Sequence, residues 1–163
     1  MKKNFFAFIY RTIPLLFCLL IILLSQMVNS RFIFSSLLFI PIFYFAIFGP
    51  NLLNVFSVFF LGLFSDLINQ VPLGLFSFIF VLLFFVARLN RLYLKELSFK
   101  TLWLLFIGIS TIFLLLELFL FTLFEGSVVQ TKFLFQQLTV LILYYPLGMY
   151  ICHDLDDWIR GKL

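Results

Sequence analysis

The chain has 163 residues, of which 64% are apolar and 11% charged, a formal net charge of +4 and a mean hydropathy of +1.21. A water-soluble domain carries about 25% charged and about 45–50% apolar residues, because it must cover its own surface with polar groups. The composition therefore excludes an ordinary soluble globule and points to a membrane protein. The basic excess does not indicate nucleic acid, since the cations sit in short groups at the ends of apolar runs, where membrane topology puts them.

A helix needs about 20 apolar residues, and at least about 17, to cross a ~30 Å hydrocarbon core. Six segments fit or approach this: 12–28, 32–48, 52–68, 73–87, 101–124 and 133–152. Lys2, Lys3 and Arg11 before the first could pass for a signal peptide ending near Val28, Asn29 and Ser30. An uncleaved first helix is the preferred reading, and bulky Phe17 before Cys18 argues against a lipoprotein site. Pro41 should kink the second segment, which membrane helices tolerate when neighbours satisfy the freed backbone groups. Turn chemistry separates the segments: Asn29, Ser30 and Arg31; Gly49, Pro50 and Asn51; Asn69 to Pro72; and Glu125, Gly126 and Ser127. The fourth segment is short, and snorkelling by Arg88 could extend it.

The longest polar interval, 88–100 with its RLNRLYLKEL run, is most simply a topology anchor; an interfacial amphipathic helix or a partner-docking loop are the alternatives. No interval is long enough for a separate soluble domain, so residues 1–163 form a single transmembrane domain. With the N-terminus inside, nine of the eleven basic residues fall in the cytoplasm and only Arg31 and Lys132 outside. That fixes an even number of spans with both termini inside. A strand barrel is excluded because runs such as FIFVLLFFV (78–86) do not alternate apolar with polar.

This topology gathers the polar residues at one end. Asp66, Asn69 and Gln70 reach the outer end of the third span, and Pro72 and Gly74 turn the chain back into the fourth. Glu117 lies seven residues before the outer end of the fifth, roughly 10 Å down, and Gln136 and Gln137 open the sixth. Asn54, Ser57, Ser65 and Asn69 share a face of the third span beside Gly62, as do Gln137, Tyr144 and Gly148 of the sixth, at 100° per residue. Such faces should point inward, because small and hydrogen-bonding residues pack helices in lipid. Glu117 should either fix packing through a hydrogen bond or serve function, and Asp66 either belong to this interior or cap a solvated helix end. The 27 phenylalanines are lipid-facing and packing surface, and the HDLDDW stretch (153–158) is a solvated end with a lone histidine.

Chemistry finds little to work with. Neither a phosphate-binding glycine loop nor an HExxH zinc motif occurs. Asp66 is the sole membrane aspartate, and nothing beside it or Glu117 offers a nucleophile. Cys18 and Cys152 suggest neither a disulfide framework nor a metal site. The expectation is a protein that is not an enzyme and needs no cofactor.

The pattern G-x-x-x-D-x-x-x-x-x-P-x-G, here Gly62, Asp66, Pro72 and Gly74, together with six spans and a basic inner loop, resembles the bacterial rod shape-determining MreD family over essentially the whole chain. That resemblance implies an inner-membrane, multi-pass component of the elongation machinery for lateral peptidoglycan. It also implies MreC, MreB, RodA and a class B penicillin-binding protein as partners, and a fold like that of the substrate-binding subunits of energy-coupling-factor transporters. Combined with the topology, it suggests a periplasm-facing groove built from Gly62, Asp66, Asn69, Pro72 and Gly74 over Glu117, Gln136 and Gln137, which captures a segment of MreC. The alternative is a subunit whose outer pocket binds a vitamin or lipid.

Overall fold

The structure is a computed structural model that describes residues 2–27, 36–49, 52–125 and 131–161. Expected features at Val28 to Ser35, at Pro50 and Asn51, at Gly126 and Ser127, and at Lys162 lie outside the described residues. The described helices are α1 (Lys2–Met27), α2 (Phe39–Ile47), α3 (Val55–Asn69), α4 (Leu75–Leu89), α5 (Arg91–Glu96), α6 (Phe99–Glu125) and α7 (Thr131–Arg160). No strand occurs among the described residues. Two helical stretches, Phe99–Phe124 and Leu134–Ile159, are long and apolar enough to cross a membrane, and Thr12–Leu24, Val55–Asn69 and Leu75–Leu89 are shorter apolar helices.

Several boundaries differ from the sequence reading for identifiable reasons. α1 begins at Lys2 rather than residue 12 and runs through Pro14. Pro41 lies in α2, preceded by Leu38 in the right-handed helical region and by helical Ser36 and Leu37, and the start of the expected longer segment lies outside the described residues. The polar interval 88–100 is not a plain loop: α5 forms within it and buries Leu94. α7 continues eight residues past 152, so the HDLDDW stretch is a helical end with His153, Asp154, Asp157 and Trp158 exposed. Within it Asp156 is buried, and exposed His153 lies 3.3 Å from the hydroxyl of buried Tyr44 on α2 and 3.6 Å from Asp157.

The core is built around α2, all nine of whose residues are buried. Phe39 meets Phe80 of α4 edge-on at 5.9 Å and Phe113 of α6 at 6.4 Å. Phe43 meets Phe106 of α6 at 5.2 Å, and Phe106 in turn packs against Tyr145 of α7 at 4.4 Å. α2 thus touches α4 and α6 through aromatic rings, and α6 touches α7 in the same way, each such pair contributing about 0.5–1.5 kcal/mol beyond its area. Gly148 of α7 packs on Ile40, whose Cγ2 would stand 2.7 Å from an added Cβ. The phenylalanines are therefore divided, with many forming the centre and others, such as Phe56 and Phe60 of α3, facing outward.

Polarity across the molecule is inverted relative to a soluble protein. Ser65, Asp66, Asn69, Ser77, Ser110, Glu117 and Gln137 are buried, while Phe56, Leu73, Leu104, Ile112, Leu143 and Tyr150 are more than half exposed. Water would penalise that surface and hydrocarbon would not, so the arrangement supports a membrane location. Because helices in lipid associate through packing rather than apolar burial, core position should decide the effect of a phenylalanine deletion. Phe39→Ala is expected to destabilise the detergent-solubilised protein by about 3 kcal/mol in a denaturation assay, and Phe60→Ala to leave it nearly unchanged.

Candidate functional site

The Gly62 to Gly74 stretch folds into a hairpin that joins α3 and α4, the most extensively packed helix pair among the described residues. Gly62 sets how close the helices come. A Cβ there would lie 2.5 Å from the Ser77 nitrogen and closer still to its Cα, so any other residue would push α4 away. One turn later Asp66 is fully buried, its Oδ2 accepting the Gly74 N–H at 2.8 Å and the Ser77 hydroxyl at 3.2 Å, and its Oδ1 accepting the Phe76 N–H at 2.7 Å. These donors belong to the first turn of α4, whose N–H groups have no partner within the helix and whose dipole favours an anion.

The same residue closes α3. Its carbonyl accepts the N–H of Gln70 and of Val71, with Gln70 in the left-handed conformation at φ 57°. A side chain there costs roughly 1–2 kcal/mol compared with glycine. Pro72 then accepts the Leu75 N–H at 3.3 Å, and Gly74 holds φ 102°, a conformation open to glycine and strained for other residues. Asn69 donates to the Ser65 carbonyl at 2.7 Å and to its hydroxyl at 3.2 Å, turning back onto its own helix.

The second buried acid stands apart. Glu117 of α6 accepts a long 3.5 Å hydrogen bond on Oε1 from Gln137 of α7, both side chains being 5% exposed, and its Oε2 has no hydrogen-bond partner. The structure thus pairs Glu117 with Gln137 across α6 and α7, and Asp66 with the start of α4. The two acids face separate partners rather than one another.

Other expected positions divide. Gln136 is exposed and does not join Gln137 in the interior. Asn54 is exposed at the N-cap of α3 and Ser57 half-buried, so the inward face of α3 is Gly62, Ser65, Asp66 and Asn69. Tyr144 is half exposed while Gly148 packs on α2. Of the two readings of Asp66, its burial agrees with the interior one and not with the solvated helix end.

Residues the sequence reading passed over include Ser77, Ser110 and Tyr44. Ser77 carried a usable signal, because a serine three residues past a glycine turn sits where a helix start needs capping. Ser110 gave none beyond its spacing of seven from Glu117.

Two cavities adjoin these elements. One of about 230 Å³ lies between the hairpin (Pro72, Leu73, Gly74, Leu75, Phe78) and the end of α6 (Leu120, Phe124). Another of about 310 Å³ lies between α1, α2 and α7. Neither is lined by Asp66 or Glu117, and the first is an apolar notch beside the hairpin tip. Among the described residues no group of three His, Cys, Asp or Glu is placed to hold a metal ion.

Comparison with protein-family models, with curated proteins and with solved structures gives no match for this chain.

The close approach at Gly62 makes a direct prediction. Gly62→Ala should lower the thermal stability of the purified protein by the equivalent of about 1–3 kcal/mol, as overpacking does. Gly108→Ala, where an added Cβ meets nothing within 4 Å, should be neutral or slightly stabilising through better helix propensity.

Proposed function

We propose that the chain is a multi-pass component of the bacterial inner membrane that supports cell-shape control and lateral peptidoglycan synthesis, in the manner of MreD-like proteins, by binding MreC. In this reading the segments 12–28, 32–48, 52–68, 73–87, 101–124 and 133–152 are six crossings with both termini in the cytoplasm, α5 lies at the inner interface, and the hairpin faces the periplasm. MreB, RodA and a class B penicillin-binding protein are members of the same assembly, and the chain itself is not an enzyme. The likeness to energy-coupling-factor substrate-binding subunits belongs to this proposal too.

The observation that carries the reading is that all four residues of the MreD-like pattern do one mechanical job. Gly62 admits α4, Asp66 binds its first turn, Pro72 accepts the Leu75 N–H and Gly74 supplies the left-handed turn. The product is a pre-formed tip on which Leu73 is 69% exposed beside the notch closed by Phe124. A pre-organised apolar tip lowers the ordering cost of association, which suits a docking element. The carboxylate of Asp66 is already occupied by its own chain, so in this proposal the partner touches Leu73, Phe78 and Phe124 while Asp66 holds them in place.

Leu73→Asp is expected to abolish co-purification with MreC while the protein still accumulates in the membrane, and Phe60→Ser, on the outward face of α3, to retain it. Undiminished capture of MreC by the Leu73→Asp variant would reject the hairpin tip as the docking element.

A second reading, a membrane subunit that binds a small molecule, is favoured by the cavity between α1, α2 and α7. Its roughly 310 Å³ falls within the range of ligand sites. Tyr144 and Cys152 supply the polar side-chain atoms of a lining otherwise made of residues such as Phe17, Leu20 and Ile40, which suits a lipid better than a charged vitamin. A metabolite retained through purification, together with normal cell shape on depletion, would favour this reading over the first.

A further inference from the structure

At the end of the molecule opposite the hairpin, α4, α5 and α6 meet in a corner that combines cations with exposed apolar groups. Arg88, at the end of α4, holds its guanidinium 5.5 Å from the Phe84 ring centroid. α5 turns only Leu94 fully inward, against the side of the molecule formed by α2 and α4. It leaves Leu92 81% and Tyr93 65% exposed, and Leu89 just before it is 81% exposed. Lys95 and Lys100 are exposed on the same elements, Arg91 is half-buried, and Glu96 is the lone acid of the interval. Large aliphatic side chains interleaved with cations at the end of an apolar helix match the boundary between headgroups and acyl chains, where the chains accept the leucines and the headgroups meet the charge.

The rest of this end is different. α7, which packs against α2 and α6, carries exposed His153, Asp154 and Asp157 there. Among the residues whose side chains are described, the cations of this end, Arg88, Arg91, Lys95 and Lys100, all lie in this corner. Exposed Tyr93 and Trp158 are of the type that sits at headgroup level.

We propose that the α4–α5–α6 corner is a binding site for anionic phospholipid, with Arg88, Lys95 and Lys100 meeting the headgroup phosphates, Tyr93 at headgroup level and Leu89 and Leu92 entering the acyl region. This rests on the membrane reading above but on neither MreC nor any family likeness. Charge complementarity selects the occupant: a zwitterionic lipid offers the apolar part of the match without the net negative charge.

The test is native mass spectrometry of the purified full chain titrated with phosphatidylglycerol or with phosphatidylcholine, alongside reconstitution into vesicles of each composition. The wild type should bind phosphatidylglycerol about tenfold or more tightly than phosphatidylcholine, with the preference falling as salt rises. Arg88→Gln/Lys95→Gln/Lys100→Gln should lose the preference, while Asp154→Asn/Asp157→Asn should keep it. Equal affinity of the wild type for both lipids, or full selectivity in the triple variant, would overturn the site while leaving the membrane reading intact. Failure of the wild type to insert into either vesicle would overturn the membrane reading and the site together.

Discussion

Asp66 is the residue on which the rest of the structure depends. Its carbonyl ends α3 and its carboxylate begins α4, so one side chain and one peptide group satisfy five donors of a turn that lipid could not satisfy. An acid inside an apolar protein is ordinarily costly. Here three donors and the positive end of a helix surround it, and they offset part of its desolvation. Gly62 makes the arrangement geometrically possible, since the carboxylate reaches the Phe76 and Ser77 region only when the two helices touch backbone to backbone.

From that hairpin the structure propagates inward through α2. With α3 and α4 locked together, α4 presents Phe76, Phe80 and Phe84 as one buried face, and Phe39 of α2 packs against Phe80. α6 and α7 close the other side through Phe106, Phe113 and Tyr145. Dispersion between close-packed rings does the work that apolar burial does in water, because an outward phenylalanine loses nothing by facing acyl chains. The functional proposal follows from this rigidity, since a tip held by both helices can offer Leu73 and its neighbours without prior ordering.

Much of this was legible in the sequence. Hydropathy and length placed the helical segments, and the density of polar and turn residues in GLFSDLINQVPLG marked the hairpin. What could not be read was how each polar group is satisfied. Helical-wheel arithmetic placed Asn54 with Ser65 and Asn69, yet α3 begins only at Val55, so Asn54 lies outside the helix it was assigned to. Gln136 and Gln137 are adjacent in sequence and 100° apart on a helix, and only contact with Glu117 selects Gln137. Asp66 and Glu117, on different helices, each find partners nearer than one another.

Residue-level amide hydrogen exchange on the protein in detergent, comparing wild type with Asp66→Ala, tests the central claim most directly. The account predicts that the amides of Gly74 and Phe76 are slow to exchange in the wild type and become fast in the variant, while mid-helix amides of α6 around Phe113 keep their protection. Unchanged protection at Gly74 and Phe76 after loss of the carboxylate would contradict it.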